Sequence, residues 1–167
     1  PGIWQVNQLK MFLNKIAFAG SGVKSWEALA QLIMSETPWM PSDSWDAKPE
    51  CLSARAMRRV SPQTRLVLSV AEKIGPYLDA SAAWVFASSV GEGEALHAIL
   101  EALRAPDMMV QPLKFQNSIH SAAASQWSIA AGITGPITSI AAMENTAGTG
   151  FLKAVMQVHL ENRPVGL

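Results

Sequence analysis

Apolar residues recur along this chain in short blocks of two kinds, compact runs and helix-spaced stripes. Met11 to Ala19 is apolar apart from Asn14 and Lys15 and stops at Gly20-Ser21-Gly22, which predicts a strand running into a turn. Ser25 then caps a helix whose stripe is Trp26, Leu29, Leu32 and Ile33. Thr37 to Pro49 holds three prolines and two tryptophans, Trp39 and Trp45, and predicts a loop packed against something. Ser61-Pro62 is a helix start, a capping serine followed by proline at the first helical position, and Gly75-Pro76 is the expected stop. Ala82 to Ser88 predicts a strand buried on both faces. After Gly91-Glu92-Gly93, the stripe Leu96, Ile99, Leu100 and Leu103 predicts a helix from about Glu94 to Arg104. Asp107 to Asn117 predicts a loop, and the alanine-rich His120 to Ala131 a closely packed helix. Gly132 to Pro136 turns into a strand over Ile137 to Ala142. A helix over Gly148 to Glu161 follows, and Pro164 to Leu167 begins one more strand. Strands alternating with helices at these lengths predict an α/β fold with a mainly parallel sheet covered on both faces, in one domain over residues 1–167.

Composition adds a question about partners. Hydrophobic residues make up 49% of the chain and charged residues only 16%, against about a quarter in an average domain. Such a balance suits a protein that buries surface in an oligomer, and it equally suits one well-packed domain. Thirteen basic residues balance thirteen acidic ones, so no basic field invites nucleic acid or anionic lipid. The single cysteine, Cys51, cannot form an internal disulfide, and no Cys/His spacing suggests a metal. Phe12 to Gly22 is too short for a membrane span and lacks a cleavage site, so the expectation is a cytoplasmic protein without a span.

Few residues carry candidate chemistry. Gly20-Ser21-Gly22 and Gly91-Glu92-Gly93 lack the third glycine or the Lys-Ser/Thr pair of a phosphate loop, and Glu92 and Glu94 would repel phosphate; both read as tight turns, with no cofactor implied. His97 and His159 fall in helices without ligand-spaced partners. His120, in the polar stretch Asn117-Ser118-Ile119-His120-Ser121, has two readings, general base or brace for a loop. Cys51 has neither a strand-to-helix elbow nor a nearby histidine. Arg55, Arg58 and Arg59, with Arg65, form a basic cluster that would suit an acidic partner surface or a solvated helix start. Glu144 stands just past a buried strand and before the last helix, where many enzymes hold a nucleophile. As an acidic residue at a helix start it also gains from the helix dipole alone.

The stretches Phe115 to Ala124, Trp127 to Ala130, and Gly135-Pro136 through Gly148 resemble the run leading to the nucleophile of β-ketoacyl synthases. Counted from Gly135-Pro136, Glu144 falls on the position of the family's active cysteine. Leu52 to Ala71 with Met57-Arg58-Arg59-Val60-Ser61, Val85 to Ser88 with Gly91-Glu92, and Asn117 to His120 are similar to short, chain-length-factor-like ketosynthase relatives of aryl polyene pigment pathways. The resemblance spans about Phe12 to Gly166. It implies half of a thiolase-like fold, a mixed and mainly parallel sheet between helix layers. It also implies a non-catalytic accessory subunit of type II fatty-acid or polyketide-type synthesis. The implied partner is a catalytic ketosynthase, or a second copy in a homodimer, and the Arg55–Arg59 cluster becomes a candidate surface for acyl carrier protein. Condensation needs a thiolate and two histidines carried by the other half of a ketosynthase, so this stretch alone does not supply the set. Chain-length factors often carry glutamine where this chain has Glu144. A different reading makes the chain a small enzyme acting on carrier-bound malonyl or acyl groups through Glu144, aided by His120.

Overall fold

Three parallel strands organise the chain. The structure, a computed structural model, describes residues 11–35, 38–41 and 47–167. Its elements are α1 (Trp26–Met34), α2 (Ala54–Met57), α3 (Pro62–Ile74), β1 (Ala83–Ala87), α4 (Gly93–Arg104), α5 (Pro112–Asn117), α6 (Ala122–Ala131), β2 (Ile137–Ile140), α7 (Thr146–Glu161) and β3 (Val165–Gly166). The sheet order is β2-β1-β3, with β1 central and every pairing parallel. β1 runs beside β2 from Trp84↔Ile137 to Ala87↔Ile140, but meets β3 only at Ala83↔Val165 and Trp84↔Gly166.

Strand alternation sorts the β1 side chains between two layers. Trp84 and Phe86 face α3 and α6, where Leu68, Ala71, Trp84 and Trp127 make the buried core. The indoles of Trp84 and Trp127 meet edge to face with centroids 4.8 Å apart, an arrangement that adds about 0.5–1.5 kcal/mol beyond area burial. α7 covers the other face. A Cβ on its Gly150 would stand 2.6 Å from the Ala87 Cβ, so glycine lets helix and strand touch. The α/β layering with helices on both faces therefore stands, the sheet being wholly parallel among the described residues.

Local signals explain several boundaries. The Ser25, Ser53 and Ser61 hydroxyls accept the amides of Ala28, Ala56 and Thr64, closing the starts of α1, α2 and α3. Gly132 ends α6 in the left-handed region at φ 64°.

Other expectations need correction. Residues 11–19 form no strand; Gly20 and Val23 exchange backbone hydrogen bonds of 2.7 and 3.1 Å across a tight turn, and the apolar run before them finds no ladder. α3 does end at Gly75-Pro76 as expected, with φ −48° at Gly75 and the chain tightening into a 3-10 turn over Gly75–Tyr77. A Cβ at Gly75 would lie 3.1 Å from the Trp127 ring, so the glycine allows a close approach of the indole. The predicted loop from Asp107 contains α5, opened by Pro112 at its first turn. α7 starts at Thr146, two residues before the predicted Gly148, and α2 had no signal beyond Ser53. Thr37 and Trp45, in the predicted proline-rich loop, lie outside the described residues, whereas the Trp39 indole donates to the Ser21 carbonyl at 3.1 Å.

Candidate functional site: the carboxyl end of the sheet

Parallel strands bring their carboxyl ends to one side, the usual place for a site in an α/β sheet. Here that side gathers the turn after β1 and the elbow after β2. The Ser88 amide donates to the Ile140 carbonyl at 3.0 Å, joining the two.

The elbow carries Glu144. Beyond β2 the chain makes a 3-10 turn over Met143–Asn145 and enters α7 without a break. Met143 has φ 49°, a left-handed backbone in a residue with a full side chain, a conformation that costs on the order of 1–3 kcal/mol. Thr146, buried at the first position of α7, holds the bend: its hydroxyl accepts the Ala142 amide at 2.9 Å and donates to the Met143 carbonyl at 2.7 Å. The result is a strand–elbow–helix that presents Glu144 to solvent at a helix N-terminus, where the dipole favours a carboxylate. Among the described residues no hydrogen bond or ion pair is made by its side chain.

His120, in the connection between α5 and α6, packs against the turn after β1. Its Nε2 lies 2.8 Å from the Ser88 carbonyl. A carbonyl only accepts, so Nε2 carries the hydrogen, and in the neutral ring Nδ1 is left as an acceptor. Gly91, at φ 60°, sits beneath the ring, where a Cβ would meet Cδ2 at 3.0 Å. His120 and Glu144 thus share the carboxyl end of the sheet, and no hydrogen bond joins them. His97 and His159 are exposed on α4 and α7. Among the described residues no group of three or more His, Cys, Asp and Glu is placed to hold a metal.

The arginines divide. Arg55 and Arg59 line a depression of about 250 Å³ with Ser53, Gln116, Asn117 and Gln126, braced where the Asn117 side-chain amide donates to the Arg59 carbonyl at 2.8 Å. Arg58 is exposed at the end of α2 and does not line it. No salt bridge engages any of the three among the described residues.

Cys51 is half-buried before α2, away from the elbow. Burial, then the charge and the hydrogen bond of Glu72, push its thiol up to about 11, so it stays protonated near neutral pH.

Sequence reasoning passed over Glu92. Its side chain is buried to 4% exposure, and its Oε1 accepts the Thr64 hydroxyl at 2.6 Å. A glutamate between two glycines reads as a solvated turn, and no local signal says that α3 covers it.

The chain matches the family model of the β-ketoacyl synthase N-terminal domain over residues 30–167. No curated protein matches it. Among solved structures it is similar to a chain of the complex of the ketosynthase ApeO with its chain length factor ApeC from Xenorhabdus doucetiae, with TM-score 0.65 and 23% sequence identity. That match covers 84% of this chain and 58% of the other, so the chain spans little more than half the length of that relative. No helix among the described residues is long and apolar enough to cross a membrane. Since that family model matches far more than half of the chain, the chain belongs to the β-ketoacyl synthase N-terminal domain family.

Proposed function

We propose that this chain is a non-catalytic, chain-length-factor-like subunit that works beside a catalytic ketosynthase in type II fatty-acid or polyketide-type synthesis, with aryl polyene pigment as the product class. The observation that carries the reading is the elbow after β2. It is a strand–elbow–helix with a left-handed Met143 and a Thr146 clamp, and it carries Glu144, the residue that counting from Gly135-Pro136 sets against the family's cysteine. A carboxylate there cannot hold an acyl chain as a thioester. The single thiol, Cys51, is elsewhere and protonated.

A ketosynthase partner is supported by the similar ApeO–ApeC complex. Apolar side chains on α7, among them Phe151, Leu152 and Met156, stand about half exposed and suit cover by a second protein. A homodimer is the other arrangement compatible with such faces. The depression lined by Arg55 and Arg59, with Arg58 nearby, is the surface we assign to the acidic face of acyl carrier protein, since guanidinium groups without internal partners are free to meet carboxylates and phosphate. The subunit is expected to act in the cytoplasm.

Co-expression with a ketosynthase encoded beside it, followed by light scattering on a sizing column, tests this. A mixed species is the expected result; a homodimer that never takes up the ketosynthase overturns the partnership. Release of carbon dioxide from malonyl carrier protein by the purified chain, lost in Glu144→Ala, would replace the accessory role with an enzymatic one.

A further inference from the structure

Charge is shared unevenly along this chain. Residues 51–71 hold Arg55, Arg58, Arg59 and Arg65 and no aspartate or glutamate, and residues 108–143 hold no acidic residue either. The fold brings these two stretches together. Ser53, Arg55 and Arg59, in and around α2, meet Gln116 and Asn117 of α5 and Gln126 of α6 around the depression of about 250 Å³. Two guanidinium groups thus share one hollow whose lining includes no carboxylate. Among the described residues no salt bridge engages either of them.

The rest of the lining is braced or able to donate. The Asn117 side-chain amide donates to the Arg59 carbonyl at 2.8 Å, which ties the backbone of Arg59 to the end of α5. The Ser53 hydroxyl accepts the Ala56 amide at 3.2 Å and keeps its own hydrogen to donate. Gln116 and Gln126 bring side-chain amides, each with two N–H donors. Like charges repel across such a hollow, and an anion seated between them relieves the repulsion. Each guanidinium presents parallel N–H donors to a pair of oxygens. A carboxylate has two oxygens and one charge, enough for one such fork. A phosphate monoester has three terminal oxygens and close to two charges at neutral pH, enough for both.

We propose that this depression binds the phosphate group of a small phosphate monoester, seated between Arg55 and Arg59. The inference goes beyond the carrier-protein assignment made above for the same surface and does not depend on it. The test uses this chain alone, so its failure leaves carrier docking standing, and failure of carrier docking leaves the phosphate site standing.

Calorimetric titration of the purified chain with methyl phosphate, dimethyl phosphate and acetate at pH 8 tests it. Both arginines are exposed, so the titration is run at low ionic strength, and added sodium chloride should weaken binding. Methyl phosphate is expected to bind with a Kd on the order of 1 mM, and the two singly charged anions at least about tenfold more weakly. At pH 5 methyl phosphate loses its second charge, whose pKa is about 6, and its advantage over dimethyl phosphate should disappear. Arg55→Ala and Arg59→Ala should each weaken methyl phosphate at least about tenfold. Arg59→Lys restores the charge without the fork and should recover only part of the loss. Lys114→Ala removes an exposed cation of α5 that does not line the depression, and should leave the affinity unchanged. Circular dichroism checks each variant; should the arginine variants fail to fold, the ranking of the three anions and its change with pH decide. No saturable binding of methyl phosphate, equal binding of the three anions, or wild-type affinity in folded Arg55→Ala and Arg59→Ala would overturn the proposal.

Discussion

At Cys51 the environment acts mainly against ionisation. Desolvation contributes most, followed by the Glu72 charge and by a hydrogen bond to Glu72, whose Oε2 also accepts the amides of Glu50 and Cys51. The thiol rises from 9.0 to about 11. The folded chain thus prefers the protonated form. The associated stability is complete below pH 9 and is lost as pH climbs towards 11. Iodoacetamide labelling of native protein should be slow at pH 8, with a rate that rises along a curve centred near 11; protein unfolded in guanidinium should label along a curve centred near 9. Glu72→Gln should bring the native curve down part of the way, because burial remains. A native curve centred at 9 would mean that Cys51 is open to solvent. The cysteine's lack of chemical activation was legible in the sequence, which showed no elbow and no histidine near it. Its shielding by Glu72 was not, since the two are brought together only by packing.

Helix starts write their chemistry into consecutive residues, whereas ends and edges depend on what lies across the fold. Ser61-Pro62 supplies an acceptor for the Thr64 amide at 2.9 Å and a preset φ, so α3 could be placed from sequence to the residue. Ser61→Ala should cost about 1 kcal/mol, read as a lowered urea midpoint with unchanged slope. Gly75 was expected to end that helix and does; what the sequence did not show is that the Trp127 ring, far away in sequence, lies 3.1 Å from where a Cβ would stand. Met11–Ala19 has the composition of a strand, yet a strand exists only where a neighbour pairs with it, and the run leads only into the isolated bridge between Gly20 and Val23. Glu144 could be placed at the bend by counting from Gly135-Pro136; the left-handed Met143 and the Thr146 clamp could not, because both are tertiary features. The contact of α7 with β1 gives a second prediction. In Gly150→Leu the new side chain must displace Ala87, with a Cβ 2.6 Å away and backbone behind it. Overpacking of this kind costs about 1–3 kcal/mol, and the thermal midpoint should fall while far-ultraviolet circular dichroism keeps its helical shape.

Across the whole molecule, apolar surface outruns the core. α4 has no buried residue, and Leu96, Leu100 and Leu103 on its predicted inner stripe are each about half exposed. α1 likewise buries none of its stripe, with Ile33 at 66% exposure. The periodicity was read correctly as helix; what it could not tell is whether the stripe faces this chain's core or another protein. Low charge points the same way, since a surface with few charged groups offers little resistance to association. A dye that fluoresces in apolar surroundings should therefore bind the isolated chain at full native secondary structure. Replacing Leu96 and Leu100 together by lysine, one turn apart on α4, should reduce that signal while shifting the urea midpoint by no more than about 0.5 kcal/mol in stability, because neither side chain is in the core. Leu68→Ala is the opposite control: Leu68 is fully buried against Trp84 and Trp127, so its loss should cost about 2–5 kcal/mol and increase dye binding. Were the lysine pair to destabilise as strongly as Leu68→Ala, α4 would be part of this chain's own core rather than a face held open for a partner.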